Sequence, residues 1–221
     1  MTDTIITVQG EYEIHQPAER GTVRLSAGFE GGNRDAVTLQ ATALHDQLTT
    51  EVRSMLDQQA GPVTWWSADQ LRVWATRPWN QDGKQLPLVH HAQLGLQVKF
   101  SDFRRLGEWV GRISTVDGVT LSGIDWALTA AHRQSLTQEA RRRAVENAVA
   151  KATVYATSLG LSSVRPVALS DPGMLGDVTG SSPVASPVAF ARGAAAADPS
   201  PGLKPEDITI SIQVHARFAA S

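Results

Sequence analysis

The sequence predicts an α+β fold: mostly antiparallel sheets with amphipathic helices packed on one face, in the order ββαββαβα(β)β. Three observations carry this. Several stretches alternate apolar and polar residues, the pattern of strands with one covered face. Two long stretches and one short one repeat apolar residues at three-and-four spacing, the pattern of helices with one buried stripe. The strictness of that alternation means that each sheet keeps one face uncovered, as mostly antiparallel sheets do, whereas a doubly wound parallel sheet is covered on both.

The elements follow in order. In "TIITVQGEYEIH" (4–15), Ile6, Val8, Tyr12 and Ile14 point one way and Thr7, Gln9, Glu11 and Glu13 the other. "GTVRLSAGFEG" (21–31) repeats this with Val23, Leu25, Ala27 and Phe29 inward, and Pro17 ends the first strand, so the two predict a hairpin. Over 33–60 the period changes: Ala41, Leu44, Leu48, Val52 and Met55 mark a helix that Asn33 or Asp35 can cap and Gly61-Pro62 stops. Residues 63–79 read as one long strand with an interruption, and 88–102 as a cleaner one with Ala92, Leu94, Leu96, Val98 and Phe100 inward. Between them "NQDGKQLP" holds an Asp-Gly turn signal. Phe103, Leu106, Val110 and Ile113 mark a short helix with Asp102 at its N-cap.

Residues 118–133 predict a strand with a phase slip. Leu121 belongs to one alternation, Ile124, Trp126 and Leu128 to the other, and Ser122-Gly123 sits where a bulge would switch them. A long helix follows at about 135–159, stopped by Gly160, and 162–171 can form a short strand. Residues 171–205 are rich in Ala, Gly, Pro and Ser and carry no period, which predicts a flexible loop. The last strand, 206–220, turns Ile208, Ile210, Ile212, Val214 and Phe218 inward.

Composition removes several functions. A net charge of −2 with a pI near 6.3 gives no bulk electrostatic reason to bind nucleic acid or an anionic membrane, so neither is an expected partner. The absence of cysteine excludes disulfides, thiolate metal sites and cysteine nucleophiles. The first residues lack a basic segment followed by an apolar run and a cleavage site, and no apolar run reaches the ~18 residues of a membrane span. The expectation is a cytoplasmic protein.

No recognised catalytic motif is present. Gly-x-Ser-x-Gly, the phosphate-cradling loops and His-Glu-x-x-His are all missing. "FEGGN" (29–33) precedes a helix and could hold an anion on free amides, but a strand-to-helix turn explains its glycines. His90 and His91 are adjacent on a strand and leave opposite faces, so they cannot hold one ion together. Of the other histidines, His15, His132 and His215 are expected to face solvent from strands rather than to converge on a metal, and His45 lies within the 33–60 helix. No catalytic, cofactor-binding or metal-binding residue is assigned, and no cofactor is expected.

Six tryptophans, Trp65, Trp66, Trp74, Trp79, Trp109 and Trp126, stand against two tyrosines. Core or interface packing uses such rings more often than a stacked ligand does. Arg141, Arg142 and Arg143 fan over about 200° of a helix, so they make no single basic patch, and Glu139 and Glu146 lie at pairing distance. The opposite side carries Ala140, Ala144, Ala148, Ala152 and Ala156, a stripe of small side chains that lets the helix approach a sheet closely.

At this helix the chain resembles a known family. "EARRRAVENAVAKATVYATSLGLSSVRPVALSD" is similar to the C-terminal signature of the SIMPL-domain family, a domain of unknown function, through Glu139, Ala140, Ala144, Val145, Ala148, Lys151, Ala152, Tyr155, Ala156, Leu159, Gly160 and Val164. The family's second Leu-Gly is replaced here by Ser162-Ser163. "ITVQGEYEIHQPAERGTVRLSAGFEG" resembles its opening hairpin, with Ala18 where an acidic residue is usual, and "HHAQLGLQVKFSDFRRLGEWV" and "GVTLSGIDWAL" resemble later blocks.

The resemblance implies a single SIMPL-like domain over 1–221, with the 171–205 loop inside it and no established catalytic residues. It implies bacterial relatives, many of them exported, some forming large oligomers. The expected function is a non-enzymatic interaction or assembly protein, a homo-oligomer with an unidentified protein partner and a stress-related role. The alternative is a small-ligand binder or uncharacterised enzyme with Trp65–Trp79 as a pocket wall.

Overall fold

The computed structural model describes residues 3–79, 85–175 and 204–221. Of the loop expected at 171–205, residues 176–203 lie outside the described residues. The chain has the expected α+β architecture. Strands β1 (Thr4–Pro17) and β2 (Arg20–Gly31) are followed by helix α1 (Arg34–Met55), strands β3 (Val63–Ala68), β4 (Arg72–Thr76) and β5 (Val89–Phe100), helix α2 (Phe103–Ile113), strand β6 (Val119–Ala127), helix α3 (Ala130–Ser158), and strands β7 (Val164–Ser170) and β8 (Asp207–Ala220). Two compact units result, their residues lying within 1–16, 129–197 and 207–221 for the first and 17–128 and 198–206 for the second.

In the first unit the strand order is β1-β8-β7, with β7 and β8 antiparallel. The hairpin expected of the first two strands does not form: β1 joins this sheet and β2 the other, because Ile6 and Val8 are buried with α3 whereas Val23 and Leu25 are buried with α1 and α2. The alanine stripe of α3 lies against this sheet: Ala144, Ala148, Ala152 and Ala156 form one buried cluster with Ile6, Val8, Val214, Ala216, Phe218 and Ala220. The close approach also requires Gly10, because a Cβ there would stand 2.1 Å from the Ala144 carbonyl oxygen and 2.7 Å from the Ala148 Cβ. Helix α3 starts earlier than 135. Thr129 is its N-cap, with Oγ1 accepting from the His132 N–H, so residues 130–133 continue the helix rather than the preceding strand. It ends in a Schellman motif: Gly160 has φ +77°, Leu161 N–H donates to Ala156 O, Gly160 N–H to Thr157 O, and Leu161 packs back on the core.

The second unit is a five-stranded sheet ordered β3-β5-β2-β6, with β4 also paired to β5. The stretch read as one interrupted strand is therefore two. β3 pairs with β5 up to Ala68↔Leu96 and β4 resumes at Arg72↔Gln93, so Asp69, Gln70 and Leu71 bulge out opposite two residues of β5. The phase slip in β6 is also where the alternation placed it: Arg24 pairs with Gly123 and Leu25 with Leu121, leaving Ser122 as the extra residue.

Both helices of this unit pack on one sheet face, burying Leu44, Leu48 and Val52 of α1 and Leu106, Trp109 and Ile113 of α2 with Val23, Leu25, Leu96, Val98 and Phe100. Asn33 caps α1 through Oδ1, which accepts from the Asp35 and Ala36 N–H groups, and Asp102 caps α2 by accepting from the Arg105 N–H. Helix α1 stops at Met55, short of the expected residue 60. The Asp57 carboxylate captures the N–H groups of Gln59 and Ala60 in a turn, which offers the backbone a better acceptor than another helical turn. Between the helices, Glu51 accepts from Trp109 Nε1–H at 3.1 Å and from Arg112, tying α1 to α2.

Candidate functional site

Helices α1 and α2 occupy one face of the five-stranded sheet, and no other described helix of this unit packs on the opposite face. Along β2 this face presents Arg24, Ser26, Gly28 and Glu30; along β5, in register, Gln97, Gly95, Gln93 and His91. Two adjoining depressions of about 270 and 320 Å3 lie on it, and they share Ser26 and Gln93. The Gln93 amide donates to Ser26 Oγ at 2.8 Å, which fixes both side chains.

The first depression is lined by charge and amide groups: Arg24, Asp69, Gln70, Arg72, Gln93 and Gln97. Its form follows from the bulge between β3 and β4. The Asp69 N–H donates to Gly95 O at 3.0 Å, and its carboxylate lies flat over Gly95, where an added Cβ would be 2.2 Å from Oδ2. Arg24 is held by Asp125 at 2.9 Å. Among the described residues, neither the Asp69 carboxylate nor the Arg72 guanidinium has an ion-pair partner.

The second depression is lined by Phe29, Glu30, Trp74, His91 and Thr120. Trp74 stacks on His91 with ring centroids 5.0 Å apart and planes 9° from parallel. His91 also meets Thr76 Oγ1 at 2.8 Å and Glu30 at 3.4 Å, so three neighbours set the ring's orientation. The Arg72 guanidinium stands 6.0 Å from the Trp74 ring centroid, joining the two depressions.

The tryptophans divide by role. Trp109 is buried, Trp66 packs on the same core, and Trp126 meets Phe103 edge-on. Trp65 leaves the opposite face from Trp66, exposed, with Lys99 Nζ 5.1 Å from its centroid. Trp79 is exposed as well. The region from 65 to 79 therefore supplies one pocket-lining ring, Trp74.

One histidine departs from the expectation of a solvent-facing strand position: His132 sits in the first turn of α3. His45 is on α1, as the helix period placed it, and is buried there with Nε2 lacking a hydrogen-bond partner among the described residues. The three-and-four spacing already placed His45 beside Leu44 and Leu48, and this was the available signal for its burial. Among the described residues no group of three or more His, Asp or Glu is placed to hold a metal. Arg142 and Arg143 each pair with both Glu139 and Glu146. Hydrogen bonds from Arg142 and then Arg143 hold the Glu139 carboxyl below its ordinary value and raise Arg142 in return.

The alanine-lined helix, its glycine stop and the paired strands around it match the model of the family SIMPL, described as a protein of unknown function (DUF541), over residues 6–218. The chain belongs to the SIMPL family. No curated protein matches it. No helix among the described residues is long and apolar enough to cross a membrane.

Proposed function

We propose that this SIMPL protein is a non-enzymatic assembly module that associates with copies of itself. The observation that supports this most is the apolar side-chain surface of the first unit. β7 holds Val167 and Leu169 more than half exposed, and α3 with its C-cap residue adds Val154, Tyr155 and Leu159, all outside that unit's buried cluster. Large apolar side chains left exposed in this number on one folded unit support an interaction site.

Backbone edges supply less of the association than strand length suggests. The edge of β1 is occupied by its own helix: the Glu11 N–H donates to Asn147 Oδ1, and Lys151 Nζ donates to Gln9 O. β7 carries Pro166 and a register shift, and β6 carries its bulge. Each device blunts edge-to-edge pairing. Association accordingly runs through side chains.

The test is native mass by light scattering or sedimentation. An assembly well above 23.7 kDa is expected, and Val167→Asp with Leu169→Asp should shift it toward the monomer while leaving the fold intact. A wild-type species that stays monomeric across micromolar concentrations would overturn the reading.

A further inference from the structure

We propose that the open face of the five-stranded sheet binds a small zwitterion, an α-amino acid or a dipeptide, between Asp69 and Arg72. The argument is one of charge. Both residues line the same depression, they carry opposite charges, and neither has an ion-pair partner among the described residues. The other guanidinium there, Arg24, is engaged by Asp125. A simple anion entering would meet the Asp69 carboxylate, and a simple cation would meet Arg72 and Arg24. A neutral ligand would strip water from both charges and pair neither, which is costly. A ligand carrying an ammonium and a carboxylate satisfies both with charge-assisted hydrogen bonds.

The surroundings fit the same class. Gln70, Gln93 and Gln97 offer amide donors and acceptors suited to a peptide group or a carboxylate oxygen. Gly95 leaves the floor low enough for the Asp69 carboxylate to lie across it. The adjoining depression, walled by Trp74, His91 and Thr120, is placed to receive an apolar or aromatic side chain. Volumes of about 270 and 320 Å3 fall just below and just inside the ~300–1,000 Å3 typical of ligand sites, which favours an amino acid or dipeptide over anything longer.

Calorimetric titration tests this on the full chain. The probes are phenylalanine, a set of dipeptides, and two singly charged analogues, 3-phenylpropionate and phenethylamine. Binding by an amino acid or a dipeptide is expected, with each singly charged analogue at least tenfold weaker. The two zwitterion sets distinguish a free amino acid from a dipeptide. Asp69→Asn and Arg72→Gln should each weaken binding at least tenfold without changing the melting temperature. Gly95→Ala should do the same by displacing the Asp69 carboxylate with all charges retained. The proposal fails if no zwitterion binds up to about 10 mM, if a singly charged analogue binds equally well, or if the Asp69 and Arg72 variants bind as wild type.

Discussion

At the scale of single residues, stability rests on a few positions with little room for change. Gly10→Ala places a methyl group 2.1 Å from the Ala144 carbonyl oxygen, so the sheet and α3 must separate. A loss of about 1–3 kcal/mol is expected, read by denaturant or thermal unfolding. Glu51→Ala removes the acceptor of the Trp109 indole N–H, a partner inside the second unit's core, and should cost about 1–3 kcal/mol. Asp57 gives a pH signature. Hydrogen bonds from the backbone of Gln59 and then Ala60 lower its carboxyl from the ordinary 3.8. A folded pKa below the unfolded one means that its contribution is complete above the unfolded value and disappears as pH falls through the folded one. The melting temperature of wild type should therefore drop in acid partly through this group. Asp57→Asn, which keeps the oxygen acceptor, should show a shallower drop below about pH 4.

The elements show what period and capping chemistry can and cannot specify. The alanine stripe of α3 was legible because four-residue spacing of small residues has one use on a long helix, close packing. Ala148→Glu drives a charge into that contact and should unfold the first unit, at a cost of at least ~3 kcal/mol by denaturant melt. On the opposite face Arg142→Ala breaks an exposed network with Glu139 and Glu146 and should change stability by no more than about 1 kcal/mol. The bulge at Ser122 was legible because a one-residue slip moves every later side chain to the other face. Helix ends were less so. Met55 and Ala130 depend on whether Asp57 and Thr129 bond the backbone, and several nearby residues compete for that role. The break between β3 and β4 was only half legible. Alternation weakens there, but that both pieces continue along β5 is a property of the partner strand.

For the whole molecule, the two compact units separate the two functional questions. The first carries the exposed apolar surface proposed for self-association, and the second carries the open polar face proposed for a zwitterion. Val167→Asp with Leu169→Asp should change native mass and leave ligand titration unchanged, while Asp69→Asn should do the reverse. A variant that altered both would show that assembly and binding are linked.

The sequence by itself determined the fold class, the covered faces of β1, β2, β5, β6 and β8, the packing side of α3 and membership of the SIMPL family. These follow from local periodicity and from residue types with few conformational alternatives. Tertiary structure alone decided that Asp69 and Arg72 share a depression with residues of β2 and β5, that Trp74 meets His91, and that α3 side chains close the edge of β1. Each depends on strand register and sheet order. Those are set by which buried faces fit together across the whole chain, and no short stretch records them.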